Sequence, residues 1–274
     1  MMERFGYILL YTSLAVVAVF QIFPVIWLFL FSFKDNREIF SGSPFSLPTE
    51  FNWENYVKVW EGGIGTYFWN SVWITAVAIL LTVILASMAT FAITRMNWRF
   101  NKLVLGLFMV GLMIPIHSAI IPLFSMFLKV DLIDSPWSII ITYTAYNLPI
   151  TMMILLGFYY TFPREIEEAA IMDGCSVHRL FLRIILPMTT PVISTTVIIN
   201  MIYNWNEFVF VNTFISSDKY KTLTVGIQNF IGQYMTDWGA IGATLIISVL
   251  PIVIAFIFFS NKVVEGISSS AIKG

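Results

Sequence analysis

Six long apolar runs alternate along the chain with short polar segments, and nearly all the charged side chains fall in the polar segments. The runs lie at about 7–33, 68–94, 103–128, 136–160, 188–211 and 240–259. Each reaches the roughly 20 residues that an α-helix needs to cross the hydrocarbon of a bilayer. Apolar residues are continuous within each run rather than alternating, which predicts helices and not the strands of a barrel. The pattern predicts an all-α integral membrane protein with six transmembrane helices. It reads as one domain over 1–274, with a core at about 68–260 and a loop at 161–187 between helices four and five. The first run exceeds the h-region of a cleavable signal peptide, about 7–15 residues, and no small-x-small site follows it, so it reads as a span.

Composition agrees. Of 274 residues 58% are hydrophobic and 11% charged, where a soluble domain carries roughly 25% charged residues. A net charge of −1 gives no general attraction to nucleic acid. Cys175 is the only cysteine, which excludes an intrachain disulfide. His117 and His178 are far apart and read as structural, with no metal cluster in view.

Basic residues orient the chain, because cytoplasmic loops hold the excess of Lys and Arg. With the N-terminus inside, nine lie on the cytoplasmic side (Arg4, Arg95, Arg99, Lys102, Arg164, Arg179, Arg183, Lys262, Lys273) and six outside. Both termini are therefore expected in the cytoplasm.

Pro24, Pro115, Pro122, Pro149, Pro191 and Pro251 fall within runs. They read equally as hinges around a pathway and as ordinary shaping of membrane helices. Ionisable groups are nearly absent from the runs; the exception is Glu207, toward the outer end of the fifth. An acid within the membrane is a functional candidate, whereas at the interface it is a solvated end residue. A gradient-driven transporter acting alone, the alternative reading, needs more such groups than this. The chain has no GxxxxGK[ST] loop to bind ATP itself. HExxH, GxSxG and paired intramembrane acids are also missing, so no enzyme is expected and no catalytic residue is assigned.

The 161–187 loop reads as two short helices. Pro163 suits a first turn, and Glu165, Glu167 and Glu168 put negative charge at the positive end of the helix dipole. Gly174 is placed to end that helix in a left-handed conformation. Ser176 can cap the next one, in which Val177, Leu180, Phe181, Ile184 and Ile185 share an apolar face. Two readings stand on physics alone: a docking element for a partner with a basic cleft, and an interfacial helix lying on the bilayer.

The run Glu168-Ala169-Ala170, then Asp173-Gly174, then Leu186-Pro187, resembles the EAA signature of binding-protein-dependent ABC importer permeases, with its three-residue gap before the glycine and about nine residues before Ile-x-Leu-Pro. Glu54-Asn55-Tyr56, Trp205-Asn206-Glu207-Phe208 and the tail Ala271-Ile272-Lys273-Gly274 resemble the carbohydrate-uptake branch, in particular the maltose-type shorter permease. Cys175 stands where that family commonly has a small residue.

The resemblance implies a membrane-spanning subunit that translocates a sugar or oligosaccharide. It would be paired with a second homologous permease, two ATP-binding subunits that hold ATP and Mg, and an extracellular solute-binding protein. It implies no cofactor in this chain. Glu168, Ala169, Ala170, Asp173 and Gly174 would form the coupling helix that docks on the ATPase. On the fifth run Asn200, Tyr203, Asn204 and Glu207 follow near-helical spacing and are the candidate substrate pathway. Trp205 reads as a sugar-stacking ring or as an aromatic anchor at the interface.

Overall fold

Runs this apolar must satisfy their backbone polar groups within the segment, and they do so as helices. The computed structural model describes residues 2–43, 45–231 and 236–271, with side chains at 4, 6–43, 45–231 and 236–258. Ile272, Lys273 and Gly274 of the family-like tail, and the Lys262 side chain, lie outside the described residues. The helices are α1 (Met2–Phe31), α2 (Asn36–Ser41), α3 (Glu54–Glu61), α4 (Ile64–Arg95), α5 (Asn101–Met113), α6 (Ile120–Lys129) and α7 (Pro136–Thr161). There follow α8 (Arg164–Met172), α9 (Val177–Leu180), α10 (Leu186–Met188), α11 (Thr190–Asn206), α12 (Val209–Phe214), α13 (Leu223–Gly226) and α14 (Trp238–Ala271).

Four helices, within α1, α4, α7 and α14, are long and apolar enough to cross a membrane, and two bent pairs raise the number to six if each is one span. The all-α membrane class is as the sequence reads, but the third and fifth runs are not single helices. In the third, α5 and the segment Ile116–Lys129 meet at 98°. Pro115 forces the residue before it out of the helical region, and Ile114 is extended at φ −81°, ψ 121°. At the start of the fifth, Val177–Met188 from the preceding loop and Thr190–Asn206 meet at 69°, with Pro187 and Pro191 flanking the bend. That run also stops early. Helix α11 ends at Asn206, and Glu207 leaves the helix at φ −69°, ψ 130°.

The chain forms two compact units. The first comprises Met1–Gly65 and Gly226–Pro251. Its α1 is apolar on all sides and has no buried residue in its spanning window, as a helix facing lipid or another membrane chain does. Buried Asn55 donates from Nδ2 to the carbonyls of Ser32 (2.8 Å) and Lys34 (2.9 Å). A Cβ on Gly239 would collide with that amide and with the Lys34 carbonyl, so only glycine fits there. The Tyr56 hydroxyl meets Ser32 Oγ at 2.8 Å. Asn55 and Tyr56 of the Glu54-Asn55-Tyr56 motif thus tie down the segment after α1.

The second unit comprises Thr66–Val225 and Ile252–Gly274. Here α4 and α7 run through three apolar clusters in turn. Ile74 and Ala78 meet Ile139 and Tyr143; Ala86 and Ile93 meet Met152 and Leu155; Phe91 meets Tyr159. Small hydroxyl residues let the helices approach, and they bond back to their own helix, as Thr82 Oγ1 does to the Ala78 carbonyl (2.7 Å) and Thr142 Oγ1 to that of Ser138 (2.7 Å). The third cluster, with Phe162, Leu180 and Ile185, anchors the α8–α10 loop.

Candidate functional site

Helix α8 begins after a linker of only Phe162 and Pro163, and Phe162 is buried. It ends in a complete Schellman motif. The Cys175 N–H reaches the Ala170 carbonyl and the Gly174 N–H that of Ile171, both at 2.9 Å. Gly174 has φ +78° with open space where a Cβ would stand, so the demand for glycine is conformational. Glu168, Ala169 and Asp173 are exposed, while Ala170 is half-buried against the cluster below. The same free side carries Ile171 and Met172, the latter 87% exposed. Sequence reasoning passed over both; the available signal was two large apolar residues beyond the Ala pair with no helical partner to cover them.

In the second short helix Leu180 and Ile185 are buried and Val177 is 49% exposed, so the apolar face is narrower than its spacing predicts. Ser176 sits at the N-cap position without a side-chain cap bond. A π turn over Phe181–Ile185 follows, closed by the Leu186 N–H on the Phe181 carbonyl, just before Pro187.

Glu167, in the first turn of α8, is 7% exposed. Arg95 Nε, at the end of α4, donates to its Oε1 at 2.7 Å. Arg95 Nη2 donates to the Tyr159 carbonyl near the end of α7 at 3.0 Å, and the guanidinium lies 5.5 Å from the centre of the Tyr159 ring.

The pathway candidates divide. Asn200 and Asn204 are buried against α7. Asn200 Nδ2 donates to Thr151 Oγ1 (2.9 Å), and Asn204 Oδ1 accepts from Tyr146 Oη and Asn147 Nδ2 (both 2.9 Å). Asn147 Oδ1, Asn200 Oδ1 and Asn204 Nδ2 are left without a partner. Tyr203 instead is 61% exposed. Glu207, half-buried at the break, accepts from Tyr143 Oη (3.1 Å) and from the N–H groups of Phe210 (2.8 Å) and Val211 (3.3 Å). It caps the start of α12. Trp205 is neither an interfacial anchor nor an open stacking ring, being 4% exposed and edge-on to Phe68. Tyr143, Asn147 and Thr151 were missed, although their spacing of four on an apolar run marks one polar stripe. Among the described residues no three His, Cys, Asp or Glu side chains gather as metal ligands.

The helices are those of a multi-pass membrane protein, with an exposed acidic-and-apolar helix mounted on the ends of two candidate spans. Residues 78–267 match the family of the binding-protein-dependent transport system inner membrane component, and the chain belongs to that family. It is a transport permease. The diacetylchitobiose uptake system permease protein of Streptomyces coelicolor is 33% identical, covering 93% of this chain and 85% of its own. The trehalose/maltose transport system permease protein of Thermococcus litoralis is 32% identical over 97% of both. In fold, the chain resembles a bacterial ABC transporter involved in the import of the acidic polysaccharide alginate, with a TM-score of 0.81 and 18% identity over 95% of this chain and 97% of that one.

Proposed function

We propose that this permease is the translocation subunit of an ATP-driven sugar importer, and that α8 is its coupling helix. The observation that carries the reading is the mounting of α8. Its exposed side offers Glu168, Ala169, Ile171, Met172 and Asp173, while Ala170 and Glu167 hold its other side to the ends of the spans. Partner ATPases holding ATP and Mg would grip the exposed side, with Ala169 permitting close approach and the two acids meeting polar groups. Gly174 sets the turn behind it. The relatives named for disaccharide uptake support a sugar or oligosaccharide as cargo. A second homologous permease would cover the bare α1, an extracellular binding protein would deliver the sugar, and both termini would be cytoplasmic. The core permease domain would span about 68–260, and Asn200, Tyr203, Asn204 and Glu207 would border the pathway.

The test is purification of the native complex, compared with Ala169→Trp and Gly174→Val. Wild type should bring a soluble ATPase and a second multispan chain, and in vesicles should take up maltose, trehalose or diacetylchitobiose only with ATP. Both variants should lose the ATPase or its coupling to uptake. Uptake that ignores ATP, or variants that import normally, would overturn the reading.

A further inference from the structure

The geometry points to Arg95 as the joint that makes α4 travel with α8; the inference rests on α8 as the docking helix. Helix α7 follows α8 through the chain itself, because two residues connect them. Helix α4 has no such link: its last residue lies 72 positions from Glu167. One guanidinium joins all three helix ends. Arg95 occupies the last turn of α4 and donates to a carbonyl in the last turn of α7, both negative ends of helix dipoles. It pairs with a carboxylate in the first turn of α8, a positive end. Every charge sits where the adjacent dipole favours it, and both side chains are dry, at 8% and 9% exposed. Below the pair, Phe91 of α4 meets Phe181 at 5.1 Å, so packing seconds the ionic tie. Without Arg95, α4 would feel a push on the free side of α8 only through that apolar packing. Through Arg95 it reaches two spans at once. Arg95 is in this sense a positioning residue, acting through Glu167 and not on cargo.

The test places spin labels at Glu165→Cys on α8 and Met88→Cys on α4, both exposed sites, in a Cys175→Ser background, in the assembled complex. The label–label distance is read without nucleotide and with ATP and vanadate. With Arg95 intact it should be narrow and the same in both states. Arg95→Gln should broaden it and shift it on ATP, while the ATPase remains bound and hydrolysing. Arg95→Lys, which keeps the charge but loses the fork that spans Glu167 and Tyr159, should fall between. Glu167→Gln should broaden the distance in the same way as Arg95→Gln, whereas Arg164→Gln, an exposed charge at the start of the same helix, should leave it narrow, a contrast that general misfolding does not produce. A distance indifferent to Arg95→Gln or to Glu167→Gln overturns the joint. Failure of the docking reading looks different: there the wild type itself brings no ATPase, and the nucleotide-free distances still report on Arg95.

Discussion

Glu167 is buried and Glu207 half-buried, and the two carboxylates are answered in different ways. Glu167 meets a full positive charge from another helix at 2.7 Å. Among the described residues no cation pairs with Glu207, whose carboxylate is held by two backbone N–H groups of the next helix and one tyrosine hydroxyl. The first arrangement fixes separate helices to each other. The second fixes a break within one stretch of chain, by accepting from the N–H groups that a new helix start leaves unsatisfied. A carboxylate can therefore be structural at two scales, and what answers it tells which.

The largest expected effect follows from the ion pair. Glu167→Ala leaves the Arg95 guanidinium buried and unpaired, which costs about 3–5 kcal/mol. It should lower the thermal unfolding temperature of the purified chain in detergent markedly. Replacing both partners with leucine should cost far less, because no charge is stranded. A loss below about 1 kcal/mol for Glu167→Ala, the size of an exposed pair, would put Arg95–Glu167 on a level with surface contacts and end the contrast.

Glu207→Ala comes next, at about 0.5–2 kcal/mol, the range for a lost helix cap. Glu207→Gln should lose less, since an amide oxygen can keep the Phe210 N–H. The glutamine variant also separates cap from cargo contact. Stability near wild type with uptake of maltose, trehalose or diacetylchitobiose lost would put Glu207 in the pathway. Unchanged uptake would leave it a cap alone.

How much of this could be read from residues depends on the range of the interaction concerned. Gly174 and the end of α8 were legible because a Schellman turn is local and its glycine has one conformational reason. The bend at Pro115 was marked by the proline, but its 98° angle depends on what the two halves pack against. Arg95 was readable only as one more basic residue in a short loop, because its partner stands 72 positions away with no pattern linking them. Glu207 drew attention as an acid in an apolar run, yet its place outside the helix turns on Asn206 ending α11, which no spacing rule marks. Asn200 and Asn204, four apart, lie together on a buried face of α11, whereas Tyr203, expected beside them from its spacing, is exposed.

A third acid, Asp134, extends the comparison to the weakest case. It lies outside the spans, half-buried, in a left-handed conformation at φ 59°. Its Oδ1 accepts from the N–H groups of Ser216 and Ser217 (both 2.9 Å) and from Ser217 Oγ (3.1 Å). The Ser217 N–H chiefly holds its pKa below the usual value; burial opposes, and the Ser216 N–H and Ser217 hydroxyl add to the lowering. A folded pKa below the unfolded one, about 3.9, means the carboxylate contributes stability that is whole above that pH. That contribution is lost as pH falls through the folded value. Asp134→Asn has no such titration, so its unfolding temperature should decline less steeply than wild type below about pH 4, with a small constant deficit at neutral pH. Like Glu207, Asp134 is half-buried and answered by backbone N–H groups, but it holds a loop rather than the start of a helix, so its deficit should be the smallest of the three. Equal pH slopes in the two proteins would mean that the Ser216–Ser217 turn holds without the charge, and burial rather than the kind of partner would then rank these acids.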